Sequence, residues 1–184
     1  MSYIAFAVVA ALLIYGVVIL NGLVRERNMV REGWSGIDVQ LRRRADLVPA
    51  LVETVKAYAA HERKLFEEIT AIRSASLAAA DVRAQESAER ALESALGKLI
   101  ALKEAYPDLK ADRNFLKLQE QLAEIEDQLQ MARRYYNGSV RNLNISIQSF
   151  PNLLIARPLG FKEAEFFEAD EAGRVTPNVS FERA

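Results

Sequence analysis

The chain reads as an all-α protein: an N-terminal transmembrane helix, then an up-down antiparallel four-helix bundle, then an irregular C-terminal tail. Three observations predict this. No charged residue stands between Tyr3 and Val24. Residues 25–149 are rich in Ala, Leu, Glu, Arg and Gln and poor in Gly and Pro, which favours helix throughout. Beyond Phe150 the composition changes, with Pro151, Pro158, Gly160, Gly173 and Pro177 as breakers and Phe161, Phe166, Phe167 and Phe181 between them. The chain thus divides into an anchor (1–24), a helical-bundle domain (25–149) and an extended aromatic and acidic tail (150–184).

The anchor comes first. At ~1.5 Å rise per residue, a helix of roughly 22 residues covers about 33 Å, enough for a hydrocarbon core of ~30 Å. A cleaved signal would need a basic start, a shorter apolar run and a small-residue cleavage site. None of these is found here. Residue 2 is Ser and the chain lacks cysteine, so myristoyl, palmitoyl and prenyl anchors are excluded. Arg25, Arg27 and Arg31 follow the span and no Lys or Arg precedes it, so the positive-inside bias places the N-terminus outside and the domain in the cytoplasm. Inner (cytoplasmic) membrane, single pass, is the expected location.

Val30, Trp34, Ile37 and Leu41 form a stripe that continues the membrane helix, with Trp34 at the base of the bundle. A second helix is expected over about 47–75, its face marked by Leu47, Leu51, Val55, Tyr58, Leu65, Ile69 and Ile72. Asp46 serves as its N-cap and Pro49 lies in its first turn. A third runs over about 83–105 on Ala88, Leu92, Ala95, Leu99 and Leu102; the join at 76–81 is either helix or turn. Proline at Tyr106-Pro107-Asp108 ends that helix and Asp108 caps the next. The last helix has the strongest pattern, an apolar seam from Phe115 through Leu122, Leu129, Tyr136 and Leu143 to Phe150 in steps of 3 and 4. A 4-4 step at Tyr136 acts as a stutter.

Little in the chain points to catalysis. Basic residues number 24 and acidic 25, with a net charge of −1, which makes no case for nucleic acid. Without cysteine there is no disulfide, thiolate zinc or iron–sulfur site. His61 is the only histidine, so the paired-histidine zinc helix is absent, as are a phosphate loop and a serine elbow. No catalytic residue, metal ligand or cofactor is expected. Three features remain as contact sites. Arg42, Arg43 and Arg44 form either a solvated basic turn or a clamp on anionic lipid or a neighbour's acidic tail. Asn137, Arg141, Asn144 and Gln148 make a polar stripe, either exposed or an inter-subunit seam whose amides set register. Phe161, Phe166 and Phe167 need a surface to cover them, on the bundle or on a neighbour.

Two segments carry a family resemblance. Trp34-Ser-Gly-Ile-Asp-Val-Gln-Leu-Arg-Arg-Arg-Ala-Asp-Leu-Val-Pro-Ala-Leu-Val-Glu-Thr-Val-Lys-Ala-Tyr-Ala-Ala-His-Glu62 resembles the signature of the LemA family. Tyr106-Pro-Asp-Leu-Lys, Leu118-Gln-Glu-Gln-Leu, Arg134-Tyr-Tyr-Asn137 and Ser149-Phe-Pro151 resemble its second half, in order. The chain departs from the usual pattern at Ala45, where His is common, and at Ala50, where Asn is common. The resemblance implies a bacterial membrane protein with a helical-bundle domain and no established reaction. One branch of the family is associated with magnetosome membrane formation, and genes of the family often neighbour membrane proteases or small membrane-stress proteins. The resulting expectation is a non-enzymatic membrane scaffold that contacts lipid and forms a homo-oligomer. The alternative is a tethered adaptor for another membrane protein, such as a stress-linked protease.

Overall fold

The computed structural model describes residues 2–167. The expectations for Gly173, Pro177 and Phe181 fall outside the described residues. The described chain is all-helical. It contains α1 (Ser2–Lys56), α2 (Arg63–Ala78), α3 (Val82–Ala101) with a 3₁₀ turn at Leu102–Glu104, α4 (Pro107–Ala111), α5 (Arg113–Gln148) and α6 (Leu153–Ala156).

Helix α1 is one unbroken element of 55 residues, ~82 Å long at the helical rise. Residues 2–18 are almost wholly exposed, and α1 is the one described helix long and apolar enough to cross a membrane. The membrane helix does continue through Val30, Trp34, Ile37 and Leu41, as the stripe implied. The expected new start at Asp46 is wrong. Asp46 and Pro49 both lie inside α1, and the chain turns at residues 57–62 instead. Proline inside a helix orphans the carbonyl four residues back. Here that carbonyl is Ala45 O, and the Arg73 Nε–H of α2 donates to it at 2.6 Å. A tertiary hydrogen bond thus replaces the lost helical one, and the helix runs on.

The remaining boundaries follow from capping. Asp81 accepts from the Ala84 N–H at 2.7 Å and starts α3, which settles the join at 76–81 as a short turn after α2. The expected helix to residue 105 ends earlier, at Ala101, and tightens into the 3₁₀ turn. The cap of the last long helix is Asp112 and not Asp108. Its carboxylate accepts from Phe115 N–H at 2.8 Å, while Asp108 lies within α4.

Helices α1 and α5 lie side by side in opposite directions. Tyr58 meets Asp112, Arg44 meets Glu126, and Gly33 lies against Tyr136. The approach at Gly33 is close: a Cβ there would stand 2.9 Å from Tyr136 Cα. The apolar seam of α5 is buried at Phe115, Leu122, Ile125, Leu129, Tyr136, Val140, Leu143 and Ile147. Phe150 is the exception and is 80% exposed, because α5 ends at Gln148 and the chain turns away through a cis Phe150–Pro151 peptide.

The four expected stripes are redistributed along this pair. Far from the N-terminus, Val48, Leu51 and Val55 of α1, Phe66 and Ile69 of α2, Leu92 and Leu99 of α3, and Phe115 and Leu122 of α5 share one core. Nearer the N-terminus, Ile37, Leu41, Leu129, Tyr136 and Val140 close a second core with Phe167 from the tail. Ile19, Leu23, Leu143, Ile147 and Ala156 form a third. Only the first is built by four long helices.

Candidate functional site

Two arrangements stand out, a buried ionic cluster and a strap-filled groove. In the first, Arg44 is 3% exposed. Its guanidinium donates to Glu89 of α3 and to Glu126 of α5, the latter at 2.9 Å. The Ser76 hydroxyl and the Gln85 amide complete the Glu89 carboxylate, Gln85 at 3.1 Å. Burying a charge is tolerable when partners and hydrogen bonds replace water. The two terminal nitrogens of Arg44 find carboxylates, while its buried Nε has no hydrogen-bond partner among the described residues. The cluster ties α1, α2, α3 and α5 together at one level. Arg133 stands nearby, 3.9 Å from Glu126. Burial pushes its pKa down, and the Glu126 charge opposes that shift.

This corrects the reading of Arg42, Arg43 and Arg44 as one basic feature. They lie on a helix, whose ~100° per residue step points neighbours in different directions. Arg44 turns into the core, unavailable to lipid. Arg42 and Arg43 stay exposed, Arg42 paired with Asp38 at 3.0 Å and Arg43 donating to Gln40 at 3.3 Å.

The second arrangement involves the polar stripe. The chain leaves α6, turns at Gly160 with φ +74°, and runs extended along the α1–α5 groove. Asn137 donates its amide N–H to Phe167 O at 2.8 Å and accepts from Phe167 N–H at 2.9 Å. Asn144 does the same with Ala164, at 3.0 and 2.8 Å. Between them the Tyr136 hydroxyl donates to Glu165 O at 2.8 Å. The spacing has a simple origin: seven helical residues rise ~10.5 Å, close to the ~10 Å spanned by three extended residues. Each side-chain amide offers the donor and acceptor that a neighbouring β-strand would offer. The strap runs antiparallel to α5.

Aromatic side chains anchor it. Phe167 is 2% exposed, with its ring 6.2 Å from Trp34 and 5.0 Å below the Arg133 guanidinium. Trp34 packs on Tyr136 at 5.6 Å, which confirms its place in the bundle. Phe161 lies 5.0 Å beneath Arg27, such cation–π contacts being worth ~0.5–1 kcal/mol at exposed sites. Phe166 stays 46% exposed, and Arg83 reaches Glu165 at 3.2 Å across the surface. Burial, then the Glu165 charge, raise the Tyr136 pKa above its ordinary value.

Thus Asn137 and Asn144 bond to the chain's own tail, and Phe161 and Phe167 pack on the chain's own bundle. Arg141 and Gln148, on the same stripe, are exposed. Sequence reasoning missed Glu89, Glu126, Ser76 and Gln85; all four look like surface residues of amphipathic helices, and only their meeting with Arg44 sets them apart. Among the described residues no group of three or more His, Cys, Asp or Glu could hold a metal ion.

Fold and site define an all-helical protein whose first helix can serve as a membrane anchor and whose domain is closed by its own tail. Residues 33–181 match the LemA family model, and the chain belongs to the LemA family. It is similar to protein LemA of Metamycoplasma hominis, 28% identical over 162 residues that cover 87% of this chain and 74% of that protein. It is also similar to magnetosome protein MamQ of Magnetospirillum gryphiswaldense, 25% identical, covering 79% of this chain and 64% of that one. Magnetosome protein MamQ 2 of Paramagnetospirillum magneticum is 34% identical over 89 residues, 47% of this chain and 33% of its own length. The chain thus spans less than two thirds of either magnetosome relative. None of these names carries a reaction.

Proposed function

We propose that this protein is a non-enzymatic, membrane-anchored scaffold that self-associates on a bacterial inner membrane and organises it. One observation carries the reading: α1 is continuous from Ser2 to Lys56, so anchor and domain core are a single stiff body. A rigid post fixes the height and orientation at which each copy presents its sides. Lateral assembly needs this, and a flexible tether would blur it. Surfaces for assembly exist. Val39, Leu116, Met131 and Tyr135 are exposed, and a cleft of about 490 Å³ between α3 and α5 is lined by Leu96, Ile100 and Leu122. The similarity to magnetosome proteins supports a role in membrane organisation.

The exposed Arg25, Arg27, Arg31, Arg42 and Arg43 support a cytoplasmic domain and an external N-terminus. Light scattering on the full-length protein extracted in mild detergent tests the scaffold: large uniform particles are expected, and a monomer refutes it. A C-terminal alkaline phosphatase fusion tests orientation and is expected to be inactive.

The second reading is an adaptor for another membrane protein, and the groove favours it. Asn137 and Asn144 bond only to main-chain atoms of the strap, so the clamp suits an extended segment of another protein as well as its own tail. An adaptor would extract as a monomer or dimer.

A further inference from the structure

Residues 149–161 form a half-collar on one side of the base of α1, where Val17, Val18 and Asn21 on the opposite side stay exposed. Ile155 Cδ1 stands 3.7 Å from where a Cβ on Gly16 would lie. Ile19, Leu23, Leu143, Ile147 and Ala156 make one buried cluster there. The collar therefore packs on the last third of the apolar segment, below the level of Arg25. Its outer side is apolar: Phe150 is 80% exposed, Leu154 64% and Leu159 56%, with Ile145 of α5 beside them at 55%.

We infer that this collar is a lipid-contacting element, sunk into the headgroup and upper acyl region of the bilayer. The inference rests on the membrane-anchor reading above. Three independent observations support it.

The first is length. Residues 2–18 of α1 are exposed apart from Ala10 and Gly16, and these 17 residues rise only ~25 Å against a hydrocarbon core of ~30 Å. The missing ~5 Å falls at Ile19–Leu23, the level the collar flanks. The apolar face of the collar therefore continues the apolar face of α1.

The second is the backbone. A segment entering lipid must satisfy its own amides, since no water is there to do so. The N–H groups of Leu153 through Arg157, and of Leu159 through Phe161, all donate within the segment at 2.8–3.4 Å. Pro151 and Pro158 have no N–H to satisfy. The Ser149 hydroxyl folds back to Ile145 O at 2.7 Å.

The third is charge. Arg25, Arg27 and Arg157 are exposed around the rim, where long cationic side chains reach lipid phosphates while their stems lie against apolar surface. An ordinary water-facing loop has no reason to combine exposed Phe and Leu, amides bonded within the segment from Leu153 onward, and a cationic rim.

The chain lacks cysteine, so single cysteines report without background. Nitroxide labels are placed at L154C and L159C on the collar, at L12C in the bare span and at E120C on the exposed side of α5. The full-length protein goes into vesicles of phosphatidylglycerol and phosphatidylethanolamine. Electron paramagnetic resonance then compares collisions with oxygen, which partitions into lipid, and with a water-soluble nickel chelate. The L154C and L159C labels are expected to favour oxygen, as L12C does, while E120C favours the chelate. Collar labels that follow E120C while L12C stays protected would overturn the collar alone. A chelate-accessible L12C label would overturn the membrane anchor itself. Circular dichroism of each labelled protein, matched to the parent, excludes misfolding; none of the four side chains is buried within the protein.

Discussion

The two ends of the domain are held together by different means. Far from the anchor, four long helices bury Leu51, Val55, Ile69, Leu92, Leu99 and Phe115 in one apolar core. Near the anchor α1 and α5 are the only long helices, and short α6 and an extended strap take the place of the missing ones. The strap is held by two asparagines, one tyrosine hydroxyl and Phe167. Between these regions lies the Arg44–Glu89–Glu126 cluster. The first region resists opening through non-directional burial. The second depends on a few directional bonds, each worth only ~0.5–1.5 kcal/mol net. The strap end should therefore open first.

The following substitutions test that contrast, all read on the full-length protein in mild detergent. The largest effect is expected at the boundary. Glu89→Ala leaves Arg44 buried with one partner lost, and such a change costs ~3–5 kcal/mol. It should lower the denaturation midpoint of the whole domain, since four helices meet there. A variant that melts normally would show that Glu126 alone suffices.

Next come the seam leucines. Leu129 is 0% exposed, while Leu122 is 9% exposed at the edge of the α3–α5 cleft. Leu129→Ala should fall high in the ~2–5 kcal/mol range for such truncations, and Leu122→Ala low in it. Equal losses on thermal melting would mean that the cleft is closed by something else. Leu122→Asp should cost more than Leu122→Ala, because the carboxylate replaces an apolar side chain packed at the cleft wall.

The double change Asn137→Ala with Asn144→Ala acts on one region only. It removes four strap bonds and leaves the far core intact. Hydrogen exchange should rise at residues 161–167 by orders of magnitude more than at Leu92–Leu99, and protease should cut the tail first. Equal rises in both regions would make strap and core a single cooperative unit.

The smallest effect concerns acid. The Phe115 backbone N–H, then the Tyr58 hydroxyl, hold the Asp112 carboxyl below its ordinary pKa. A group whose folded value is depressed stabilises the fold above its unfolded pKa of about 3.9, and that contribution is lost as pH falls through the lower folded value. Asp112→Asn keeps an N-cap oxygen but cannot titrate. It should flatten the fall in melting temperature below about pH 4, and an unchanged acid profile would refute the assignment.

How much of this was legible beforehand differs between the two ends. The far core was readable as stripes, since burial by amphipathic helices leaves a period of 3 and 4 in the sequence. The anchor was equally readable, because lipid tolerates no charge over its thickness. The helix boundaries were less so. Pro49 signalled a start, yet the start failed to appear because Arg73, 28 residues away along the chain, supplied the bond that proline removed. The polar stripe was visible at Asn137 and Asn144, while its partner was not, since the strap presents main-chain atoms and main chain leaves no signature in side-chain pattern. Family membership was legible from motifs.

Legible in the chain alone were the helical class, a first helix long and apolar enough to cross a membrane, the apolar seam of α5 and the motifs of the LemA family. All of these depend on local periodicity or on continuous composition. Tertiary structure alone decided that Arg44 turns inward to Glu89 and Glu126 while Arg42 and Arg43 face water. It also decided that the tail lies on its own bundle and that the collar flanks the base of the anchor. Those outcomes depend on which distant groups meet. A charge is stable in the core only when partners from other helices arrive, and an amide binds a backbone only when folding brings that backbone within 3 Å.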